Sequence, residues 1–206
     1  MKKIALLAFL LAVCVASGRA QESRQDISIS GSVLIPPFIA SSTDVQVHSN
    51  RGFGVMASYR FMMTPTSALE ANYGITYQNT FRYIGPSFQG GLNVPARVQE
   101  ISGAYVRSFV YRNFNPFVEA GPAGLIFLPI VNSGLKILDA KQQTEVGGMY
   151  GAGIAYEVSP SFDIRAEYRG LVTKIPTFGE TNGGYNFTTN KWFNMSEPVI
   201  GVAYHF

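Results

Sequence analysis

Apolar residues recur at every second position in segment after segment of this chain, and almost nowhere at helical spacing. The cleanest run is Leu69, Ala71, Tyr73, Ile75 and Tyr77, interleaved with Glu70, Asn72, Gly74, Thr76 and Gln78. Phe53, Val55, Ala57, Tyr59 and Phe61 alternate with Gly54, Met56, Ser58 and Arg60. Phe162, Ile164, Ala166 and Tyr168 alternate with Asp163, Arg165, Glu167 and Arg169. Side chains on a strand point in turn to its two faces, so each run is a ribbon with one apolar and one polar face. The fold class is all-β. Eight strands are predicted, at about 27–38, 52–62, 68–78, 98–110, 116–127, 147–158, 162–173 and 194–206, each near the ~9–11 residues of a tilted membrane strand. Glu100 and Ser102 fall out of phase with Arg107, which predicts a bulge between them.

The connections alternate in length. Met63 to Ser67, Tyr111 to Asn115 and Ser159 to Ser161 are short and carry Pro or Asn where turns favour them. The others, 39–51, 79–97, 128–146 and 174–193, are long. Short turns at one end and long loops at the other describe an eight-stranded antiparallel up-and-down transmembrane β-barrel of the outer-membrane kind. Both termini then fall on the periplasmic, short-turn side. Lysine usage agrees: Lys136, Lys141, Lys174 and Lys191 all fall in long loops, whereas a soluble sheet would scatter lysine over its wet face.

Charge needs one correction before it is read. The formal charge of +3 would ordinarily prompt a search for nucleic acid. Residues 1–20, however, read as a cleaved secretory signal, with Lys2 and Lys3, an apolar run from Ile4 to Ala16, and small Gly18 and Ala20 before the cut. Removing Lys2, Lys3 and Arg19 from the 16 basic residues leaves 13, equal to the 13 acidic ones. The mature chain is neutral, and no nucleic-acid partner is expected. Cys14 leaves with the signal, which excludes disulfides and thiol chemistry. Leu11-Ala12-Val13-Cys14 only partly matches a lipoprotein box, because Val13 stands where a small residue is required. Residues 21–206 suit one domain, and no apolar run in them reaches the ~18–20 residues of a membrane helix. Only 14% of residues are charged, against the roughly 25% of soluble domains.

The last residues, Ile200-Gly201-Val202-Ala203-Tyr204-His205-Phe206, resemble the assembly signature of bacterial outer-membrane proteins, in which a terminal Phe follows apolar residues at every second position. Here those are Ile200, Val202 and Tyr204. Phe162 to Arg169 and Pro116 to Gly121 are similar to strands of the OmpA-like/OmpX-like eight-stranded barrels. The resemblance covers essentially the whole mature chain. It implies an integral outer-membrane location, recognition by the barrel-assembly machinery, and outer-membrane lipids as neighbours. Nothing similar to the peptidoglycan-binding domain of some OmpA-type proteins follows, so cell-wall anchoring is not expected.

Chemical motifs are few. His205 is expected to be structural. His48-Ser49-Asn50 lies in the first long loop, but the Asp-Ser pair and late His-x-Ser of lipid-modifying barrels are missing. Asn186-Phe187-Thr188 and Asn194-Met195-Ser196 match glycosylation sequons that mean little in a bacterial-type envelope. There is no phosphate loop and no metal-spaced cluster, so no cofactor, metal or catalytic residue is assigned. The strand charges say more. A turn centred on Pro65 sets Arg60 opposite Glu70, a turn centred on Asn113 sets Arg107 opposite Glu119, and Arg165, Glu167 and Arg169 share one face. Together they predict an ion-pair network filling a lumen that, with eight strands, is only wide enough for side chains. The expected protein is non-enzymatic, serving envelope structure or contacting a surface ligand of unknown kind through loops 39–51, 79–97, 128–146 and 174–193. Its rivals are an enzyme acting on outer-leaflet lipid and a narrow conduit for small apolar solutes.

Overall fold

The computed structural model describes residues 24–40, 46–84, 92–130, 141–178 and 191–206. Among them lie ten strands: β1 (Gln25–Leu34), β2 (Ile39–Ala40), β3 (Gln46–Ser49), β4 (Gly52–Thr64), β5 (Ser67–Ile84), β6 (Leu92–Ser108), β7 (Phe114–Pro129), β8 (Gln143–Ser159), β9 (Phe162–Lys174) and β10 (Trp192–His205). Strand β1 and strands β4 to β10 pair antiparallel in chain order. The sheet then closes on itself, with Ile27 of β1 opposite Tyr204 of β10 and Ser32 opposite Val199. A closed eight-stranded barrel results, which leaves no edge to aggregate. No helix among the described residues is long and apolar enough to cross a membrane; the strands do so.

Alternation decides which face is which. In β1, Asp26, Ser28, Ser30, Ser32 and Leu34 are buried while Ile27 and Ile29 are exposed. The apolar runs Phe53–Phe61, Leu69–Tyr77 and Phe162–Tyr168 all point outward, and the polar residues between them point into the lumen. The outward band is bordered by aromatic residues. Tyr59, Phe61, Tyr105, Phe114, Tyr156, Phe162 and Tyr204 lie at the periplasmic end, and Phe53, Tyr77 and Trp192 towards the loops. Aromatic girdles of this kind mark the two lipid–water interfaces.

Several sequence expectations are corrected. Residues 79–84 and 92–97, predicted as loop, are strand: β5 and β6 pair out to Tyr83 opposite Leu92. Their alternation was hidden because the phase slips at Gln78, where a bulge shifts the register between Thr76 and Asn79 and the backbone turns left-handed, with φ 64°. The bulge predicted between Glu100 and Arg107 does not exist. Glu100, Ser102, Ala104 and Val106 are all buried in one unbroken phase. The first strand stops at Leu34 rather than 38, since Pro36 and Pro37 offer no N–H to a ladder. Its last tie is a reciprocal backbone pair between Ile35 and Ser196, at 2.8 and 3.0 Å. The loop 39–51 carries β2 and β3, and β3 extends the barrel wall by pairing with the outer half of β5, Val47 opposite Tyr83. Lys174 is the final residue of β9 rather than a loop residue. The signal predicted at 1–20, Lys136 and the central parts of the four long loops lie outside the described residues.

Candidate functional site: the lumen

Strand phase delivers the charges inward. Every described acidic residue, Asp26, Glu70, Glu100, Glu119, Glu145, Glu157, Asp163, Glu167 and Glu197, occupies a lumenal position of its strand. Three described basic residues join them: Arg60, Arg165 and Arg169. Charge in a space this dry must be paired or hydrogen-bonded.

The pairing falls into two layers. Towards the periplasm, Arg60 of β4 lies directly opposite Glu70 of β5, and its Nε donates to Glu70 Oε2 at 2.5 Å. The Arg60 guanidinium also covers the Phe117 ring at 4.8 Å. Arg165 of β9 crosses to Asp26 of β1 with a two-pronged bond, 3.0 and 2.7 Å. Beside it, the His205 Nε2 is 2.8 Å from Asp163 Oδ2, and its Nδ1 is 3.8 Å from Asp26 Oδ2. These contacts pin β9 and β1 to the closing strand.

The second layer is centred on Arg169, whose side chain is wholly buried. Its Nη2 donates to Glu100 Oε1 at 2.5 Å and to Ser102 Oγ at 3.1 Å. Its Nη1 donates to Glu197 Oε2 at 2.9 Å, and its Nε lies 3.5 Å from Glu119 Oε1. One guanidinium from β9 therefore engages carboxylates of β6, β7 and β10. Strands β6 and β10 are four apart in the ring of eight and so stand on opposite walls, and because Arg169 holds Glu100 of one and Glu197 of the other, this cluster spans the bore. Arginine suits the position, because its planar fork carries several donors at fixed angles.

Two sequence assignments change. Arg107 is not lumenal: it points outward and donates to Ser67 Oγ at 2.8 Å. The register sets Val106, not Arg107, opposite Glu119. A one-residue offset moves a side chain to the other face of a sheet, so the predicted Arg107–Glu119 pair fails and Glu119 faces Arg169 instead. Nor is the lumen charged throughout. Its outer half is mainly apolar, with Leu34, Val47, Val94, Val98, Leu125, Leu171, Phe193 and Met195 around a nest of rings and Asn79, Glu145 and Thr173 interrupting them. Phe81, Phe127 and Phe178 pack with centroids 5.7, 5.7 and 6.3 Å apart. Tyr83 closes over them and donates to the Pro176 carbonyl at 2.7 Å.

Other predicted residues are placed as follows. Glu167 is lumenal and, with Arg60, Glu70 and Arg165, borders a polar cavity of about 10 Å³, room for roughly one water molecule. Ile200, Val202, Tyr204 and Phe206 all face outward, and the Tyr204 ring lies 5.1 Å from Phe162 and 6.2 Å from Phe206. His48 sits on the outer wall opposite Arg82, its ring 4.5 Å from Phe38. Asp26, Glu100, Asp163, Glu197 and His205 belong to the lumen network and were not assigned to it from sequence. The signal for each was strand phase, since each lies an even number of residues from a lumenal position on its own strand. Among the described residues, no group of three or more metal-ligating side chains converges. The periplasmic mouth opens into a vestibule of about 280 Å³, bordered by Arg112, Glu157, Asp163 and His205 among others.

An apolar outer band between aromatic girdles, a closed antiparallel wall and an ion-paired lumen define an integral outer-membrane β-barrel. The chain belongs to the outer membrane protein beta-barrel domain family, which it matches over residues 5–206. Comparison with solved structures agrees. Neisserial surface protein A is similar with a TM-score of 0.59 and 14% identity, covering 89% of this chain and 98% of that one. OprG from Pseudomonas aeruginosa gives 0.61 and 11%, covering 91% and 98%. The N-terminal barrel of Pseudomonas aeruginosa OprF gives 0.50 and 16%, covering 91% and 100%. Identities this low speak for the fold alone. A search of curated proteins gave no significant match.

Proposed function

We propose that this protein is a non-enzymatic, non-conducting barrel of the outer membrane, whose role is to support the envelope and display its loops for surface contact. One observation carries the reading. The Arg169 cluster spans the bore from β9 to β6, β7 and β10, and the Phe81–Phe127–Phe178 nest fills the lumen above it. An ion crossing the barrel would have to break a buried ion-pair cluster and part close-packed rings. Planar-bilayer recordings of the purified protein test this, with steady conductance absent as the expected outcome. Open channels of porin size would overturn it.

The apolar outer lumen favours a second reading, a conduit for small apolar solutes. Such a solute would have to displace the ring nest. Uptake of a fluorescent apolar probe into protein-loaded vesicles separates the two: the plugged barrel gives the rate of empty vesicles. The lipid-modifying rival is tested by mass spectrometry of lipid A from a deletion strain, where the non-enzymatic reading expects an unchanged spectrum.

A further inference from the structure

The sidedness of charge extends beyond the lumen. Since every described acid faces inward, the outward faces of the strands carry cations without carboxylates beside them. Three cluster on one wall, just above the outer girdle. Arg82 of β5 and Arg97 of β6 are exposed on the outward phase of their strands, and Arg51 is exposed between β3 and β4. Their placement follows from the register. Asn50 donates its N–H to the Thr80 carbonyl at 3.1 Å, which sets Arg51 beside β5 near the Gln78 bulge. Ala96 stands opposite Asn79, which sets Arg97 at the same height on the far side of β5. The two cations therefore flank the bulge about two strand spacings apart, roughly 10 Å. Arg82 lies above them, opposite exposed His48.

Their height relative to the membrane is also fixed. The Arg97 guanidinium lies over the Tyr77 ring at 5.0 Å, and Tyr77 stands opposite Phe53 in the outer girdle. Around the barrel, Lys174 repeats the motif over Trp192 at 5.9 Å. Girdle aromatics sit at headgroup level, so these cations meet the layer in which lipid phosphates lie. Arginine engages phosphate through paired N–H donors, and a low-dielectric neighbour strengthens the bond.

We propose that Arg51, Arg82 and Arg97 form a binding site for the phosphates of an outer-leaflet phosphorylated glycolipid, held on the outside of the β5–β6 wall.

The test uses the full mature protein in phosphatidylcholine nanodiscs doped with bis-phosphorylated lipid A, with bound lipid counted by native mass spectrometry. Wild type is expected to retain the phosphorylated lipid over its dephosphorylated form. Arg82→Ala with Arg97→Ala should lower retention about tenfold, the loss of one to two charge-assisted bonds. The Arg82→Lys, Arg97→Lys pair should keep most of it. Arg107→Ala, at the periplasmic end, should behave as wild type. Equal retention of the dephosphorylated lipid would overturn the site, as would an alanine pair that binds like wild type. So would a wild type that ignores lipid A yet binds a soluble polyanion such as dextran sulfate. The comparison of the two lipids on wild type decides the matter even where a variant fails to fold.

Discussion

Arg60 and Glu70 illustrate how a single cross-strand position can be read from sequence. Both sit on the polar phase of clean alternating runs, and the short turn at Pro65 brings them level, so their 2.5 Å contact follows from counting. Removing one partner leaves a buried charge without its counter-ion, which costs more than removing both. Arg60→Ala and Glu70→Ala are each expected to destabilise the barrel by about 1–4 kcal/mol, and the double variant by less than their sum. Urea unfolding in bilayers measures the cycle. Strictly additive effects would show that the pair carries no coupling. Arg107 shows where the same counting breaks down. Ala104 and Val106 are apolar yet lumenal, so the polar-inward rule lost its phase along β6, and Arg107 was assigned to the wrong face. Asp26 escaped for a different reason: its partner Arg165 is distant in sequence and meets it only when the barrel closes.

Strand β10 does two jobs. Inward, Glu197 and His205 join the charge layers; outward, Ile200, Val202, Tyr204 and Phe206 make an apolar row beside the closing seam. That seam is short. The β1–β10 ladder runs from Asp26 to Ser32, with one further bridge at Ile35–Ser196, whereas β5 and β6 pair from Ser67 to Tyr83. Closure thus leans on β10 being delivered correctly, which accords with reading its outward row as the recognition element for assembly. Phe206→Ala is expected to lower outer-membrane levels and raise periplasmic degradation in pulse-chase fractionation, and unchanged insertion would remove that role. Strands with strict alternation, β4, β5 below Gln78 and β9, were legible within a few residues. The outer halves of β5 and β6 were not, because a left-handed residue resets the phase and leaves no compositional mark. Nor could β2 and β3 be found, being too short for a period to register.

At the scale of the whole molecule, eight strands and their closure follow from alternation and connection length, while the division of the lumen into a charged half and an apolar half does not. Inward phase marks where a residue points, but which inward residues meet depends on shear and on closure, neither of which is local. One consequence concerns how the protein behaves in the laboratory. Among the described residues, all nine acidic side chains, but only Arg60, Arg165 and Arg169 of the basic ones, face the lumen. Folding therefore hides anions and leaves cations outside. Prepared without residues 1–20, the chain carries equal numbers of acidic and basic residues when unfolded, and on folding it should become a polycation to any resin that touches it. Folded protein in a non-ionic detergent is expected to bind a cation-exchange column at neutral pH, and the same protein in urea to flow through. Identical elution of the two forms would mean that the enclosed carboxylates are still felt from outside the wall.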